Sequence, residues 1–346
     1  MARDQSAVTG MKANIPHSSP WITADDIAAV CAELRSCQIA KGAAAQKFEL
    51  AVAKYLGFSN AWSLGTGQAG LVSALRAVGA RQGQKVLMPT YVCRAVADAV
   101  KEIGATPVFC DVDEDWCLSS DTVAPWISAD VAAIVAVHPF GIAADVKPLM
   151  QFGIPVVEDC CQCFVPHVGH TGDVAVFSFH ATKCLTTGEG GMVATSDPEI
   201  AERIQMQQSV VPNSSRMSDL QAALGLTQLA RYDEMLCWRR TEAESYAAAA
   251  ESNIKRLIGV WDRSIFFRFP LTIEEGYECT AQRFEESGIN VRRGVDTLLH
   301  RQAGLSDKAY PIATNLFNTT LSVPFYPALN QDQSQTVKRA ITELLK

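Results

Sequence analysis

Two segments near the middle of the chain combine residues that could act together in catalysis. VVEDCCQCF places Asp159 at the end of a predicted strand, and VFSFHATKCLTTGEGG places Ser178 and Lys183 at or just past the end of the next strand. A lysine amine can form a Schiff base with an aldehyde. A carboxylate beside a pyridine nitrogen keeps that nitrogen protonated, so the ring can accept electrons. Ser178 adds a hydroxyl that can bind a phosphate. Together these groups predict a site for pyridoxal 5′-phosphate.

A glycine-rich turn earlier in the chain could hold the phosphate. The stretch GTGQAG at 65–70 matches the G-x-G-x-x-G pattern of dinucleotide sites, and the amino end of the helix LVSALRAVG after it would favour an anion. A dinucleotide site also needs an acidic residue about 20 positions further on, where the next strand ends. That strand ends in Met88-Pro89-Thr90. The pattern therefore favours the phosphate of another molecule; a dinucleotide, or a tight turn without a ligand, remain the alternatives.

The stretch that follows Asp159 raises the question of a metal site. Its thiols and imidazoles are Cys160, Cys161, Cys163, His167 and His170. Soft ligands at such short spacings can bind zinc. However, the histidines follow at once, without the dozen or so residues that usually separate the two halves of a zinc finger. The cysteines also flank the residues that the cofactor would use. We predict buried thiols, surface histidines and no metal.

The elements that must position these residues can be read from the apolar pattern. Buried strands are predicted at 85–90, 106–112, 131–137, 154–159 and 174–179, with helical patterns such as AVADAVKEIG between several of them. This alternation predicts an α/β fold with a largely parallel sheet, which binds ligands at the carboxyl ends of its strands.

The later part of the chain has a different pattern. Ser218 to about Ala250 reads as one long helical segment. After it come a strand in SIFFRFPLTI, a helix in TAQRFEESG and an extended LSVPFYP. We predict a flexible tail over 1–12, a cofactor-binding large domain over 13–235 and a smaller C-terminal α+β domain over 236–346.

Composition excludes several classes of protein. The 346 residues are 48% hydrophobic and carry a net charge of −7 without a lysine and arginine stripe, which argues against nucleic acid binding. No apolar run reaches the ~18 residues of a membrane span, so no membrane partner is predicted. The polar amino terminus and the eleven cysteines favour free thiols in a reducing, cytoplasmic compartment.

The order and spacing of these segments resemble the DegT/DnrJ-type (StrS-like) sugar aminotransferases, a branch of the pyridoxal phosphate enzymes with the aspartate aminotransferase fold (fold type I). The resemblance runs from about Ile15 to Leu329. It includes SLGTGQAGLVSALRAVG, VLMPTYVCRAVADAVKEIGATPVFCDVD, VHPFG, VEDCCQ, FSFHATKCLTTGEGG and RMSDLQAALGLTQL. It implies glutamate as amino donor, a keto sugar carried on a nucleotide as acceptor, and a homodimer with shared active sites.

The resemblance also implies roles for individual residues. Lys183 matches the lysine that forms the Schiff base and moves the substrate proton, and Asp159 matches the partner of the pyridine nitrogen. Gln162 matches a residue on the ring hydroxyl side. Ser178 and the turn Thr66-Gly67-Gln68 match the phosphate site.

Several positions depart from the family pattern. Cys93 stands where the family usually places an aromatic ring over the cofactor, and Tyr91 could take that role. Gln68 replaces a threonine, and Cys184 follows the lysine where asparagine is common. Ser214 stands where an asparagine often reaches into the partner subunit.

Other residues are candidates with open alternatives. His180, between Ser178 and Lys183, is predicted as a third catalytic residue. His138 lines the site or is structural. In the C-terminal part, anion-binding and purely surface roles stay open for His300, Arg292 and Arg293.

Two other functions are compatible with such a fold. One is a pyridoxal phosphate-dependent sugar dehydratase, and the other is a regulatory or binding protein without turnover. The related dehydratases have histidine in place of the lysine, and Lys183 together with Asp159 argues against both.

Overall fold

The computed structural model describes residues 14–210 and 215–345. The tail predicted over 1–12 and the family position at Ser214 lie outside the described residues.

A seven-stranded sheet forms the centre of the larger part of the molecule. Its strands lie in the order β1-β7-β6-β5-β4-β2-β3. Their bounds are β1 Asn60–Leu64, β2 Lys85–Pro89, β3 Thr106–Cys110, β4 Val131–Val137, β5 Val156–Asp159, β6 Val174–Ser178 and β7 Gly191–Thr195. From β3 to β6 all neighbours are parallel. The five predicted strands are present, and the prediction of a largely parallel α/β sheet is confirmed.

Two strands escaped prediction, and both lie at the antiparallel end of the sheet. β7 pairs antiparallel with β6 on one side and with β1 on the other. In this register Gly191 faces Ser178 across one ladder and Leu64 across the other. The end of β6 and the glycine turn after β1 therefore meet on either side of Gly191.

Helices cover the sheet and build the rest of the chain. In the larger part they are α1 Ala24–Ser36, α2 Ala43–Leu56, α3 Gly67–Ala77, α4 Arg94–Glu102, α5 Ser120–Val123, α6 Pro198–Val210 and α7 Asp219–Ala230. The others are α8 Tyr232–Ala250, α9 Lys255–Gly259, α10 Tyr277–Glu286, α11 Leu299–Gln302, α12 Pro311–Thr319 and α13 Gln331–Leu344. No helix in the described ranges combines the length and apolarity that a membrane crossing requires.

The long helical segment predicted from Ser218 is two helices rather than one. Ser218 and Gln221 form a capping box at the start of α7. The helix ends at Arg231, whose φ of −115° and ψ of 16° depart from helical geometry, and α8 begins at the next residue. The boundary predicted at 235 falls inside α8, which packs against α13.

A small second sheet lies in the C-terminal part. β8 Phe269–Thr272 pairs antiparallel with β9 Thr320–Val323. An isolated bridge between Arg292 and Ser322 ties the segment after α10 to β9. This small sheet, with α10 against β9 and α13 against α10, matches the α+β pattern expected there.

Candidate active site

One cavity of about 600 Å³ opens at the carboxyl ends of the parallel strands. Every residue predicted for the site lies on its wall: Thr66, Gly67, Gln68, Cys93, Asp159, Gln162, Ser178, His180 and Lys183. These residues come from four separate stretches of the chain. The structure thus brings all of them together, as the topology of a parallel sheet predicts.

The glycine turn forms the amino end of α3. The helix begins at Gly67, four residues earlier than the sequence pattern suggested, because Thr66 is its N-cap. Thr66 Oγ1 accepts a hydrogen bond from the Ala69 amide at 3.1 Å. The cap satisfies that amide, and the amides of Gly67 and Gln68 remain in the first turn, where a helix supplies no acceptor. Two donors and the positive end of the helix dipole therefore face the cavity, an arrangement suited to a phosphate.

The backbone of the turn is in close contact with its neighbours. A Cβ on Gly67 would lie 2.9 Å from Ser178 Cβ, 3.2 Å from Ser178 Oγ and 3.3 Å from Cys161 Sγ. A Cβ on Gly191 would lie only 2.2 Å from the Thr66 carbonyl oxygen. Glycine is required at both positions because the neighbouring atoms leave no room for a Cβ. The absence of these side chains keeps the Ser178 hydroxyl beside the Gly67 amide. Gly191 is not among the residues predicted for the site, although it belongs to the GEGG stretch.

Asp159 and Gln162 extend from the end of β5. Asp159 is buried, and its Oδ1 accepts a hydrogen bond from the Cys161 amide at 3.0 Å. Gln162 Oε1 accepts a hydrogen bond from the Phe140 amide at 2.7 Å. That bond fixes the orientation of the Gln162 amide group and leaves its NH₂ as a donor. The carboxylate is thus held by the turn that follows it.

Lys183 lies on the loop between β6 and β7, which is well anchored. The Phe179 amide donates to Gly190 O and the Thr187 amide donates to Phe179 O, both at 2.9 Å, while the Lys183 amide donates to His180 O at 2.8 Å. The Lys183 ammonium lies 5.3 Å from the centre of the Phe267 ring. Because β5 and β6 are adjacent, the loop places Lys183 on the same wall as Asp159.

His180 is held by its own loop. Its Nδ1 lies 2.9 Å from Thr182 Oγ1, and its Nε2 lies 3.6 Å from Glu189 Oε1. The ring is 45% exposed. His180 therefore lies at the rim of the cavity, and its catalytic role stays a prediction.

Two thiols complete the inner wall. Cys93 is exposed on the cavity wall; partial loss of solvent there raises the pKa of its thiol, the Asp159 carboxylate raises it further, and Lys183 opposes the change. Burial and then Asp159 likewise raise the pKa of Cys161. Both thiols stay protonated at neutral pH, so neither is an activated nucleophile.

Tyr91 lies beside Cys93 on the same wall. It is buried, packs edge-on against Phe140 with ring centres 6.4 Å apart, and its phenol oxygen has no hydrogen-bond partner among the described residues. Whether its ring stacks on a cofactor stays a prediction.

Several other candidates prove to be structural. His138 is buried, with Nε2 3.0 Å from Glu158 Oε2 and Nδ1 accepting from the Ala144 amide. His300 is buried between Thr90 and Asp307. Neither lines the cavity. For both histidines, the structural alternative is the one that fits.

The two arginines of NVRRG lie in different surroundings. Arg293 pairs with Glu278 and lies over the rings of Tyr277 and Phe317. Arg292 lines the cavity. Arg268, which the sequence pattern concealed within an apparent strand, lines it as well.

The cysteine- and histidine-rich stretch is spread over separate environments. Cys160 and Cys163 are buried, whereas His170 stacks on Phe58 and its Nε2 lies 2.9 Å from Leu56 O. Within the described ranges, the residues close enough to share an ion are His138, Glu158 and Cys160. Glu158 there already accepts bonds from His138 and from the amides of Thr171 and Gly172.

The donor set fits pyridoxal 5′-phosphate. Amides at the start of α3 and the Ser178 hydroxyl suit the phosphate, the Asp159 carboxylate suits the ring nitrogen, and the Lys183 amine suits the aldehyde. A side chain at Gly67 would fill the place next to Ser178. A lysine after one parallel strand and a carboxylate at the end of its neighbour are typical of the fold type I class of pyridoxal phosphate enzymes.

Comparison with known proteins agrees with that class. The chain belongs to the DegT/DnrJ/EryC1/StrS aminotransferase family, whose model matches residues 20–342. It is 30% identical to GDP-perosamine synthase of Escherichia coli O157:H7, with 88% of this chain and 90% of that protein covered. The aminotransferase TlmJ from Streptoalloteichus hindustanus superimposes with a TM-score of 0.86 at 26% identity, covering 95% of this chain and 98% of that one.

A further solved structure is described with the cofactor. Spr1654 from Streptococcus pneumoniae, in a structure described as its PLP form, shares the fold with a TM-score of 0.85 at 23% identity, over 96% of this chain and 100% of that chain. The predictions of the family, of fold type I, of a transaminase and of pyridoxal phosphate are confirmed.

The backbone of the turn should matter more for cofactor affinity than its side chains do. Gln68 Nε2 lies 3.5 Å from Glu102 Oε2, so we expect Gln68→Ala to weaken pyridoxal phosphate only modestly. Gln68→Pro removes one amide in the first turn, where proline is tolerated, and should weaken it about 10- to 100-fold, as for the loss of a hydrogen bond to a charged group. Cofactor dissociation followed by absorbance measures both.

Gly67→Val tests the same turn by crowding. Its side chain would collide with Ser178 and Cys161, so the loss of affinity should again be large. NAD and NADP should leave the unfolding temperature of every variant unchanged. Saturable stabilisation by either dinucleotide would revive the dinucleotide hypothesis.

Proposed function

We propose that this enzyme transfers an amino group from glutamate to a keto sugar carried on a nucleotide. The observation that carries the proposal is the position of Lys183 and Asp159 on one cavity wall, after the adjacent parallel strands β6 and β5. Family membership supports the reaction class. The names of relatives support the substrate class, since they include GDP-perosamine synthase and a dTDP-amino-sugar transaminase.

The residues of the cavity have different roles in the proposed reaction. When bound, pyridoxal phosphate supplies an aldehyde that accepts an amine and a ring that takes up the electron pair of the donor's Cα–H bond. The Lys183 amine would form the bond to the cofactor aldehyde, and when free it would remove the proton from the donor carbon and deliver one to the acceptor carbon. Asp159 would hold a proton on the ring nitrogen. The amides of Gly67 and Gln68 and the Ser178 hydroxyl would hold the phosphate, and the Gln162 NH₂ would be available to the ring hydroxyl.

The working assembly that we propose is a homodimer with shared active sites in the cytoplasm. Apolar side chains on α1 and α2 support it, since Ile27, Leu34 and Leu50 are 59%, 53% and 72% exposed. The eleven free thiols are compatible with a reducing compartment.

The proposal is tested with the purified enzyme loaded with pyridoxal phosphate. Glutamate should shift the visible absorbance band of the cofactor. In a panel of nucleotide-linked keto sugars, at least one should then cause catalytic consumption of glutamate. A band that glutamate leaves unchanged would favour a binding protein, and conversion of a sugar without use of an amino donor would favour a dehydratase.

A further inference from the structure

The side chain of His138 is buried just past the end of β4. The Ala144 amide donates to its Nδ1 at 3.0 Å, and its Nε2 lies 3.0 Å from Glu158 Oε2. Because an amide can only donate, Nδ1 must carry a lone pair, and the ring proton must be on Nε2. Both ring nitrogens therefore have a partner, and the imidazole holds Ala144, six residues further along the chain, close to the end of β4.

Glu158 gives the imidazole a charged acceptor. It is buried on β5 and also accepts hydrogen bonds from the amides of Thr171 and Gly172. Burial acts to raise the pKa of Glu158, but the bonds from His138 and from these amides outweigh burial and lower the pKa below its ordinary value. The carboxylate is thus ionised at neutral pH, and a hydrogen bond to an ionised oxygen is stronger than one between neutral groups.

The turn that His138 closes has an unusual backbone. Phe140 has a φ of 56° and a ψ of 9°, in the left-handed region, and Gly141 follows with a φ of 85°. A residue with a side chain keeps such a conformation only where its surroundings impose it. A Cβ on Gly141 would lie 2.7 Å from Ile265 Cγ1 and 2.8 Å from the Phe267 nitrogen. The turn is therefore held by the packed segment on one side and by the imidazole on the other.

This turn determines which end of the Gln162 side chain is free. The Phe140 amide donates to Gln162 Oε1 at 2.7 Å. Gln162 lines the cavity, whereas His138 does not. Because the amide of the turn occupies the oxygen, the NH₂ is the part that is available to a cofactor. If the turn relaxed, this donor would be withdrawn, and the Gln162 side chain could rotate and present its oxygen instead.

We propose that His138 is a positioning residue for the cofactor. By closing the turn it keeps the Phe140 amide against Gln162, and through that bond it keeps the Gln162 NH₂ directed at the ring oxygen of pyridoxal phosphate. This inference rests on the proposed function, because it uses the role given there to Gln162. Cofactor affinity involves neither the amino donor nor the sugar, so the inference and the proposed reaction can fail separately.

Two substitutions separate the contributions of the two ring nitrogens. In His138→Asn the side-chain oxygen can replace Nδ1 as acceptor, and nothing replaces Nε2. In His138→Gln the amide nitrogen can replace Nε2 as donor, and nothing replaces Nδ1. Each variant loses one buried hydrogen bond, so both should unfold at a lower temperature than the wild type. His170→Gln is the matched control, since His170 Nε2 lies 2.9 Å from Leu56 O, away from the cavity.

We expect His138→Gln to weaken pyridoxal phosphate about five- to tenfold, as for the loss of one hydrogen bond. Its visible absorbance band should move in the same direction as that of Gln162→Leu. His138→Asn and His170→Gln should keep the affinity within about twofold. Dissociation of the cofactor from the loaded enzyme, followed by absorbance, measures all four variants.

The decisive measurement is the double variant. In the Gln162→Leu background, His138→Gln should change the affinity by less than about twofold, because the residue through which it acts is gone. Effects that multiply in the double variant would overturn the inference. Equal losses of affinity in His138→Asn and His138→Gln would also contradict it, since cofactor binding would then follow stability alone. Wild-type affinity in Gln162→Leu would overturn the role of Gln162 and this inference together.

Discussion

Replacing Lys183 by alanine should abolish transamination and leave the fold intact. The side chain forms no ion pair among the described residues, and its loop is held by main-chain bonds such as the one from the Phe179 amide to Gly190 O. The amine, however, both bonds to the cofactor and moves the substrate proton. Proton transfer by a positioned group alone contributes roughly 10²- to 10⁴-fold, so we expect glutamate consumption to fall at least about a thousandfold.

The control for this prediction is another lysine. Lys85 pairs with Asp130 at the start of β2 and is 42% exposed, so Lys85→Ala should keep wild-type activity. Thermal unfolding of both variants should lie close to that of the wild type. Activity of the Lys183 variant within tenfold of the wild type would remove Lys183 from the reaction.

The second large effect is expected for Asp159→Asn, with the cofactor still bound. Asparagine preserves the shape of the side chain and an oxygen that can accept the bond from the Cys161 amide. It lacks the charge that keeps the ring nitrogen protonated, so proton abstraction from the donor should slow by well over tenfold, which is more than about 1.4 kcal/mol of barrier. Single-turnover absorbance after mixing with glutamate measures that step.

Asp145→Asn is the control for the loss of one carboxylate charge, since Asp145 is exposed in the stretch after β4. It should behave as the wild type. If the Asp159 variant lost less than tenfold in rate, the carboxylate would not be next to the ring nitrogen.

The sequence predicted the strands that determine where the cavity lies. VAAIVAV is apolar throughout and VAVFSF is apolar except for Ser178, as expected for strands buried on both faces, and their order along the chain favours parallel pairing. Residues placed at the ends of such strands, among them Asp159 and Ser178, then necessarily share one edge of the sheet. The local sequence pattern was sufficient to predict the position of the cavity, because parallel pairing brings the ends of these strands to the same edge of the sheet.

Other features depend on contacts that no local pattern carries. β1 and β7 pair with each other although they lie far apart in the sequence, and Gly191 lies against Thr66 at the end of this pairing. The break between α7 and α8 at Arg231 has no proline or glycine to mark it. Arg268 belongs to FFRFP, which reads as an ordinary strand, and its place on the cavity wall follows from packing across the chain. The sequence therefore predicted that Asp159, Ser178 and Lys183 lie on one cavity wall, and it did not predict that Arg268 lies there too.

The covalent position of the cofactor is the most direct test of the account. The enzyme loaded with pyridoxal phosphate is treated with borohydride, which makes the bond between cofactor and protein permanent, and its peptides are then mapped by mass. We predict a single pyridoxyl group on Lys183, in the peptide that contains FSFHATK. A pyridoxyl group on another lysine, such as Lys85, would contradict the assignment of the active site.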